Sequence, residues 1–295
     1  MFAGFEEKRI SVGDIDVFLR HGGRIGGDPL LMLHGYPQTS AMWHLLAPML
    51  EDRFEVVCPD LRGYGRSSKP AGGGDHTTYS KREMAKDMRG VMAALGHERF
   101  YVCGHDRGGR VAHRLGLDHP DAVAAMTIID IAPTREMYAG TTDTFARAYW
   151  HWFLLIQAHP MPEQLIGGDP EAFWLNKCIK LGGGANPFAP EAQAEYLRAW
   201  SDPATVHASC EDYRAAATID IAHDNADNGR KLAMPIDVIW AKGGTVDRCF
   251  DPLSLWRQRA DDVRGAALSG SHYMVEEIPD QIAPRLRRFF ESVPL

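Results

Sequence analysis

"GHDRGGR", residues 104–110, decides how this chain is read. The apolar run Phe100-Tyr101-Val102-Cys103 precedes it, and a helical pattern begins near Val111. Strand, sharp glycine-flanked turn, helix is the layout of a nucleophile elbow, written G-x-S-x-G when serine stands at its centre. Here the centre is Asp106. An elbow exposes its central side chain and directs N–H groups of the next helix toward it. A carboxylate is already ionised near pH 7, with an ordinary pKa of about 3.9. It suits displacement at a saturated carbon, which leaves an ordinary ester, whereas attack on an acyl carbon would leave a high-energy anhydride. Asp106 therefore points to cleavage of carbon–halogen or epoxide bonds. The competing role for an aspartate here is to cap the following helix.

Outward from the elbow, short apolar runs alternate with helical periodicities. Leu30–Leu33, Phe54–Cys58, Phe100–Cys103 and Met126–Ile131 read as strands, the last with Asp130 near its end. Between Ser80 and Gly96, the residues Met84, Met88, Val91, Met92 and Leu95 share one helical face. Ser80 with Glu83 forms a capping box, and Gly96 stands where a C-terminal glycine belongs. This alternation predicts a mostly parallel central sheet flanked by crossover helices, an α/β fold. After Pro133 the texture turns aromatic and helical. Strand texture returns at Ile236–Trp240 and Ala266–Leu268, and a last helix spans Pro279–Ser292. The expected organisation is an α/β core in two parts, 1–135 and 233–295, interrupted by a helical cap, 136–232. The cap would lie over the carboxyl ends of the strands, where such sheets bind ligands. "AGGGD" (71–75) and "LGGGAN" (181–186) read as loops.

Composition narrows the function classes. The 295 residues are 45% hydrophobic and 24% charged, as in a soluble globular protein. The net charge of −7 gives no footprint for nucleic acid. An anionic substrate must then be drawn by local charge, against the overall field. No apolar stretch reaches the roughly 18 residues of a spanning helix, so no membrane association is expected. The N-terminal MFAGFEEKRI lacks the character of a signal peptide. Five cysteines without C-x-x-C spacing read as reduced thiols in a cytoplasmic protein. No histidine pair has H-E-x-x-H spacing, and no metal or organic cofactor is expected.

A second step requires a base for water. His272, in Gly270-Ser271-His272-Tyr273, follows the last strand and fits the order nucleophile, acid, histidine. Two acids could orient it: Asp130 after the strand that follows the elbow, or Asp247 in Lys242-Gly243-Gly244-Thr245-Val246-Asp247. Arg107 adjoins the nucleophile, and Arg110 lies one helical turn beyond on the same face. Guanidinium forks match carboxylates bidentately. A neutral alkyl halide or epoxide gives no reason for them, whereas a small acid held by its carboxylate does. The alternative is that they pair with acidic residues of the core.

These stretches together resemble the fluoroacetate (haloacetate) dehalogenases of the α/β-hydrolase superfamily over nearly the whole chain. "HGYPQTSAMWH" (34–44) and "DLRGYGRS" (60–67) match the superfamily broadly. "GHDRGGRVAHRL" (104–115), "IDIAPTREMY" (129–138), "HW" (151–152), "CEDYRA" (210–215) and "GSHYMVEEIPDQ" (270–281) carry the rest, with HDRG, HW and CEDYRA the most specific. The resemblance implies Asp106 as nucleophile, Asp130 as acid and His272 as base. It further implies Arg107 and Arg110 on the substrate carboxylate, and His151, Trp152 and Tyr213 as donors to the departing halide. Backbone N–H groups of Tyr36 and Arg107 would form the oxyanion hole. A homodimer is the habit of such proteins. Two departures stand out: Tyr36 replaces the usual phenylalanine of HGFP, and Asp247 stands where related dehalogenases often lack an acid.

Three rivals share the fold. An epoxide hydrolase uses the same aspartate and histidine plus two cap tyrosines, for which Tyr149, Tyr196 and Tyr213 are candidates. A ligand-binding protein without catalysis could retain the same triad. A haloalkane dehalogenase usually has tryptophan after the nucleophile, where Arg107 stands here.

Overall fold

The strands β1 (Glu6–Val12), β2 (Ile15–Gly23), β3 (Asp28–Leu33), β4 (Phe54–Pro59), β5 (Phe100–His105), β6 (Val123–Ile129), β7 (Ile236–Ala241) and β8 (Val263–Leu268) form one sheet. In this computed structural model, which describes residues 1–181, 184–227 and 229–295, their order is β1-β2-β4-β3-β5-β6-β7-β8. From β4 onward neighbours pair in parallel; β2 joins β4 and β1 antiparallel. Strands β4, β5, β6 and β7 are buried along their whole length, as continuous apolar runs in a sheet covered on both faces must be. Each fully buried Leu, Val or Ile contributes about 1.5–3 kcal/mol relative to exposure.

Helix α1 (Lys81–Ala94) connects β4 to β5, and α2 (Arg107–Asp118) connects β5 to β6. Ser80 Oγ accepts from Glu83 N at 3.3 Å, and Gly96 takes φ +88° just past the end of α1, as the capping pattern predicts. Between β6 and β7 stand α3 (Thr134–Ala139), α4 (Asp143–Ala148), α5 (Trp150–Leu155), α6 (Met161–Gly167), α7 (Pro170–Leu181), α8 (Pro190–Trp200), α9 (Pro203–Ala217) and α10 (Ile219–Ala226). Gly182 and Gly183 of LGGGAN lie outside the described residues. Helices α11 (Thr245–Cys249) and α12 (Pro252–Arg257) lie between β7 and β8, and α13 (Met274–Glu277) and α14 (Pro279–Glu291) close the chain. No helix among the described residues is long and apolar enough to cross a membrane. All five cysteines are free.

The sequence reading passed over β1 and β2. Their signal is the alternation of Ile15, Val17 and Leu19 behind a two-residue turn, Gly13-Asp14, with Gly13 at φ +56°. Strand β6 also ends earlier than read, so Asp130 is the first residue beyond it, at φ +49°. Tyr36, Asp106, Asp130, Asp247 and His272 each follow a strand at its carboxyl end: β3, β5, β6, β7 and β8. The topology alone thus brings them to one edge of the sheet.

Candidate active site

Asp106 turns the chain from β5 into α2 with φ +49° and ψ −114°, a conformation that costs a non-glycine residue about 1–3 kcal/mol. The turn is sharp enough that the flanking positions must be glycine. A Cβ on Gly104 would meet Gly108 O at 2.6 Å, and one on Gly108 would meet Leu33 O at 2.2 Å. The Asp106 side chain makes no capping bond to the first turn of α2, so the helix-cap role is not what it performs. Instead Oδ1 accepts from Tyr36 N at 3.0 Å. Burial favours protonation of Asp106, but His272, His105, Arg107 and Lys177 outweigh it and hold the carboxyl below its ordinary range.

His272 Nδ1 lies 2.6 Å from Asp130 Oδ2, and Asp130 Oδ1 accepts from Ala241 N at 2.9 Å. With Nδ1 carrying the proton of that bond, Nε2 is left as the basic nitrogen. Asp247 is occupied elsewhere: its oxygens accept from Trp240 Nε1 at 2.6 Å and Gly243 N at 2.8 Å, within its own turn. His105, inside the elbow motif, bonds the His272 carbonyl through Nε2 at 2.7 Å, and burial lowers its pKa to about 4. It is a neutral brace between β5 and the histidine loop.

Three arginines, Arg107, Arg110 and Arg114, form a buried stripe on α2. Arg107 gives Nε and Nη2 to Asp212 of α9 at 3.0 and 2.6 Å, which leaves Nη1 without a hydrogen-bond partner among the described residues. Arg114 meets Asp224 and Asp227 at 2.8 and 2.9 Å. Arg110 has no carboxylate within ion-pair distance among the described residues; it bonds Thr134 Oγ1 and Met137 Sδ, and Nε is unpartnered. Burial, then Arg107, lowers its pKa. The expectation that core acids might absorb both arginines thus applies to Arg107 in large part and not to Arg110.

Aromatic side chains close over these groups. Tyr36 stacks on His151 at 5.8 Å and meets Tyr213 edge-on at 5.1 Å; Tyr213 lies 6.2 Å from Trp152. Arg107 sits over the Tyr213 ring at 4.0 Å and Arg110 over the Trp152 ring at 4.7 Å. The structure therefore brings His151, Trp152, Tyr213 and Tyr36 together with both arginines. Trp152 Nε1, Tyr213 OH and Tyr36 OH are buried with no hydrogen-bond partner among the described residues. Burial pushes both phenols well above the ordinary tyrosine range, so they remain protonated donors. Tyr196, by contrast, donates to Glu276 at 2.8 Å and is committed there.

Two residues escaped the sequence reading. Asp212, inside the CEDYRA stretch, takes Arg107, Lys81 and the Tyr64 hydroxyl at once. Burial would raise its pKa, but Arg107 and Lys81 hold it far down. Lys177 of α7 is buried and donates to Tyr36 O and Tyr273 OH, both at 3.2 Å. Nothing in the local sequence signals it. For a metal, His159, Glu163 and His207 place ligand atoms within 4.8 Å of one another, but Arg214 already holds both Glu163 oxygens, at 2.8 and 3.1 Å.

Comparison with known proteins identifies the family. Residues 28–281 match the family model described as alpha/beta hydrolase fold. The chain is 46% identical to a fluoroacetate dehalogenase of Burkholderia sp, covering 99% of this chain and 96% of that protein. It is 32% identical to a soluble epoxide hydrolase of Corynebacterium sp., over 90% of each. A solved α/β hydrolase from Nostoc sp PCC 7120 superposes with TM-score 0.95 at 50% identity, covering 98% of this chain and 99% of that one. The chain belongs to the α/β hydrolase fold family and, within it, to the family of the fluoroacetate dehalogenase.

Proposed function

We propose that the protein hydrolyses haloacetates, fluoroacetate and chloroacetate among them, to glycolate and halide through an ester on Asp106. The observation that carries this reading is Arg110, a buried cation with no ion pair to a described carboxylate, whose nearest charge support is Asp106 itself, one helical turn away. A buried charge without a partner is costly, and an anionic substrate supplies the partner. Residues 136–232, which hold α4–α10 and most of α3, act as the cap. Arg110 and the Nη1 of Arg107 clamp the substrate carboxylate, with its α-carbon facing Asp106. The free Asp106 oxygen attacks that carbon from the rear; the C–O bond forms as the carbon–halogen bond breaks, and halide leaves with the electron pair. His151, Trp152 Nε1 and Tyr213 OH donate to the departing ion, as a leaving group as poor as fluoride demands. His272, oriented by Asp130, then removes a proton from water, and the hydroxide adds to Cγ of Asp106. Collapse breaks the ester C–O bond and returns the proton to glycolate. The N–H groups of Tyr36 and Arg107 hold the oxyanion. Similarity to the fluoroacetate dehalogenase supports this substrate class.

Epoxide opening is the second reading, favoured by the Corynebacterium relative and by Tyr149 and Tyr213 at the site. It leaves Arg110 without a purpose. Fluoride and chloride release from the two haloacetates, by ion-selective electrode, decides the matter. Asp106→Asn should lower both at least a thousandfold. Full turnover in that variant would refute the ester route, and no halide from the unmodified protein would return the reading to epoxides.

A further inference from the structure

A cleft of about 310 Å³ opens on the flank of the His272–Asp130 pair. Asp130, Tyr149 and His272 form its buried end, while Lys242 and Arg248 stand exposed at its rim. Neither rim cation makes an ion pair with a described residue. Asp247, the acid between them in sequence, does not line the cleft and is turned into its own backbone, where Trp240 Nε1 and Gly243 N hold both oxygens. The charged groups facing the cleft are thus two unpaired cations and one aspartate already bound to His272. Tyr149, at the junction of α4 and α5, lines this cleft and packs its ring 5.5 Å from His151 and 5.6 Å from Trp152. One side chain therefore touches both the cleft and the aromatic ring over Asp106.

We propose that this cleft is an anion vestibule, through which small carboxylates reach the site and the hydroxy-acid product leaves, steered by Lys242 and Arg248. This rests on the haloacid reading above. The protein as a whole, at net charge −7, repels such a substrate, so encounter depends on a local positive field at the entrance. Such a field acts on association, fades with salt, and leaves the bound complex nearly untouched.

The test uses the Asp106→Asn variant of the whole 295-residue chain, expected to bind haloacid without consuming it, and chloroacetate as the probe. Association is followed by stopped-flow tryptophan fluorescence at low and high ionic strength set with sulfate. Lys242→Gln with Arg248→Gln should slow association about threefold at low ionic strength, and the double change to glutamate about tenfold. Both should return to within about twofold of the parent near 0.5 M ionic strength. All four substitutions lie at exposed positions, and thermal melting verifies that the fold is kept. Unchanged association rates and salt dependence in the charge-reversed protein would overturn the vestibule while leaving the haloacid reading in place. Absence of chloroacetate binding in every version would overturn that reading and the vestibule with it.

Discussion

Arg110 is buried without an ion pair among the described residues, with Asp106 acting on its charge only at longer range. Its guanidinium is buried against Trp152, Thr134 and Met137, and two of those three contacts are too weak to replace its hydration. Arg107 and Arg114, its neighbours on the same stripe, have acids waiting on α9 and α10. The asymmetry yields a prediction of opposite signs. Arg110→Met should raise thermal stability by about 1–3 kcal/mol, since a buried charge without an ion pair is replaced by an apolar side chain of similar reach. The same change should raise KM for chloroacetate at least a hundredfold. A calorimetric melt and a halide-release assay on one preparation settle both, and a variant that is destabilised yet turns over normally would remove Arg110 from the carboxylate clamp.

At the scale of elements, the turns after β6 and β7 each present an aspartate, and both were candidates to orient His272. Asp130, in a left-handed conformation at the end of β6, sends one oxygen to His272 and the other to the β7 backbone. Asp247 in α11 instead closes the turn that follows β7. Asp130→Asn should therefore slow ester hydrolysis by about a thousandfold or more, with Asp106 ester accumulating and detectable by intact mass. Asp247→Asn should keep turnover within about twofold and cost on the order of 1–2 kcal/mol of stability through the lost turn bonds. Interchanged results would make Asp247 the orienting acid.

Across the whole molecule, buried polar links join the helices between β6 and β7 to the rest of the fold, and one of them holds a raised pKa. Glu276 of α13 accepts from Gln38 Nε2 at 2.7 Å and from Tyr196 OH of α8 at 2.8 Å, both at Oε1, while Oε2 is buried with no hydrogen-bond partner among the described residues and lies 3.8 Å from His44 Nδ1. Burial pushes its pKa up to about 8, against the pull of Tyr196 and Gln38, so the carboxyl holds a proton at neutral pH. In the unfolded chain it ionises near 4.5. The folded pKa lies above the unfolded one, so this contribution to stability is complete below about pH 4.5 and is lost as pH climbs toward 8. Between pH 6 and pH 8.5 the loss is about 2–3 kcal/mol. Glu276→Gln should flatten that part of the stability curve; denaturant melts at the two pH values measure it, and identical slopes for both proteins would assign the link no titration.

The elbow, the parallel sheet, the interposed helices and the places of Asp106 and His272 were legible because each rests on local pattern: glycines around a strained turn, apolar runs, and residues at strand ends; Asp130 and Asp247 were both offered by that pattern, and only the resemblance favoured Asp130. The arginines were legible from their place on one helical face beside Asp106, but the aromatic positions only by resemblance, since a buried tryptophan looks the same in sequence whether it serves packing or chemistry. Tertiary structure alone decided how charge is shared. Asp212 lies 105 positions from Arg107 in the chain and Lys177 lies 141 from Tyr36, separations across which no local periodicity operates. Which arginine is neutralised, which aspartate turns toward the histidine and which acid stays protonated all depend on what the folded chain places within about 3–4 Å of a group removed from water. The sequence by itself determined that a permanent carboxylate would stand at an elbow beside two arginines; folding determined that one of those arginines, Arg107, is ion-paired with Asp212 while Arg110 has no ion pair among the described residues.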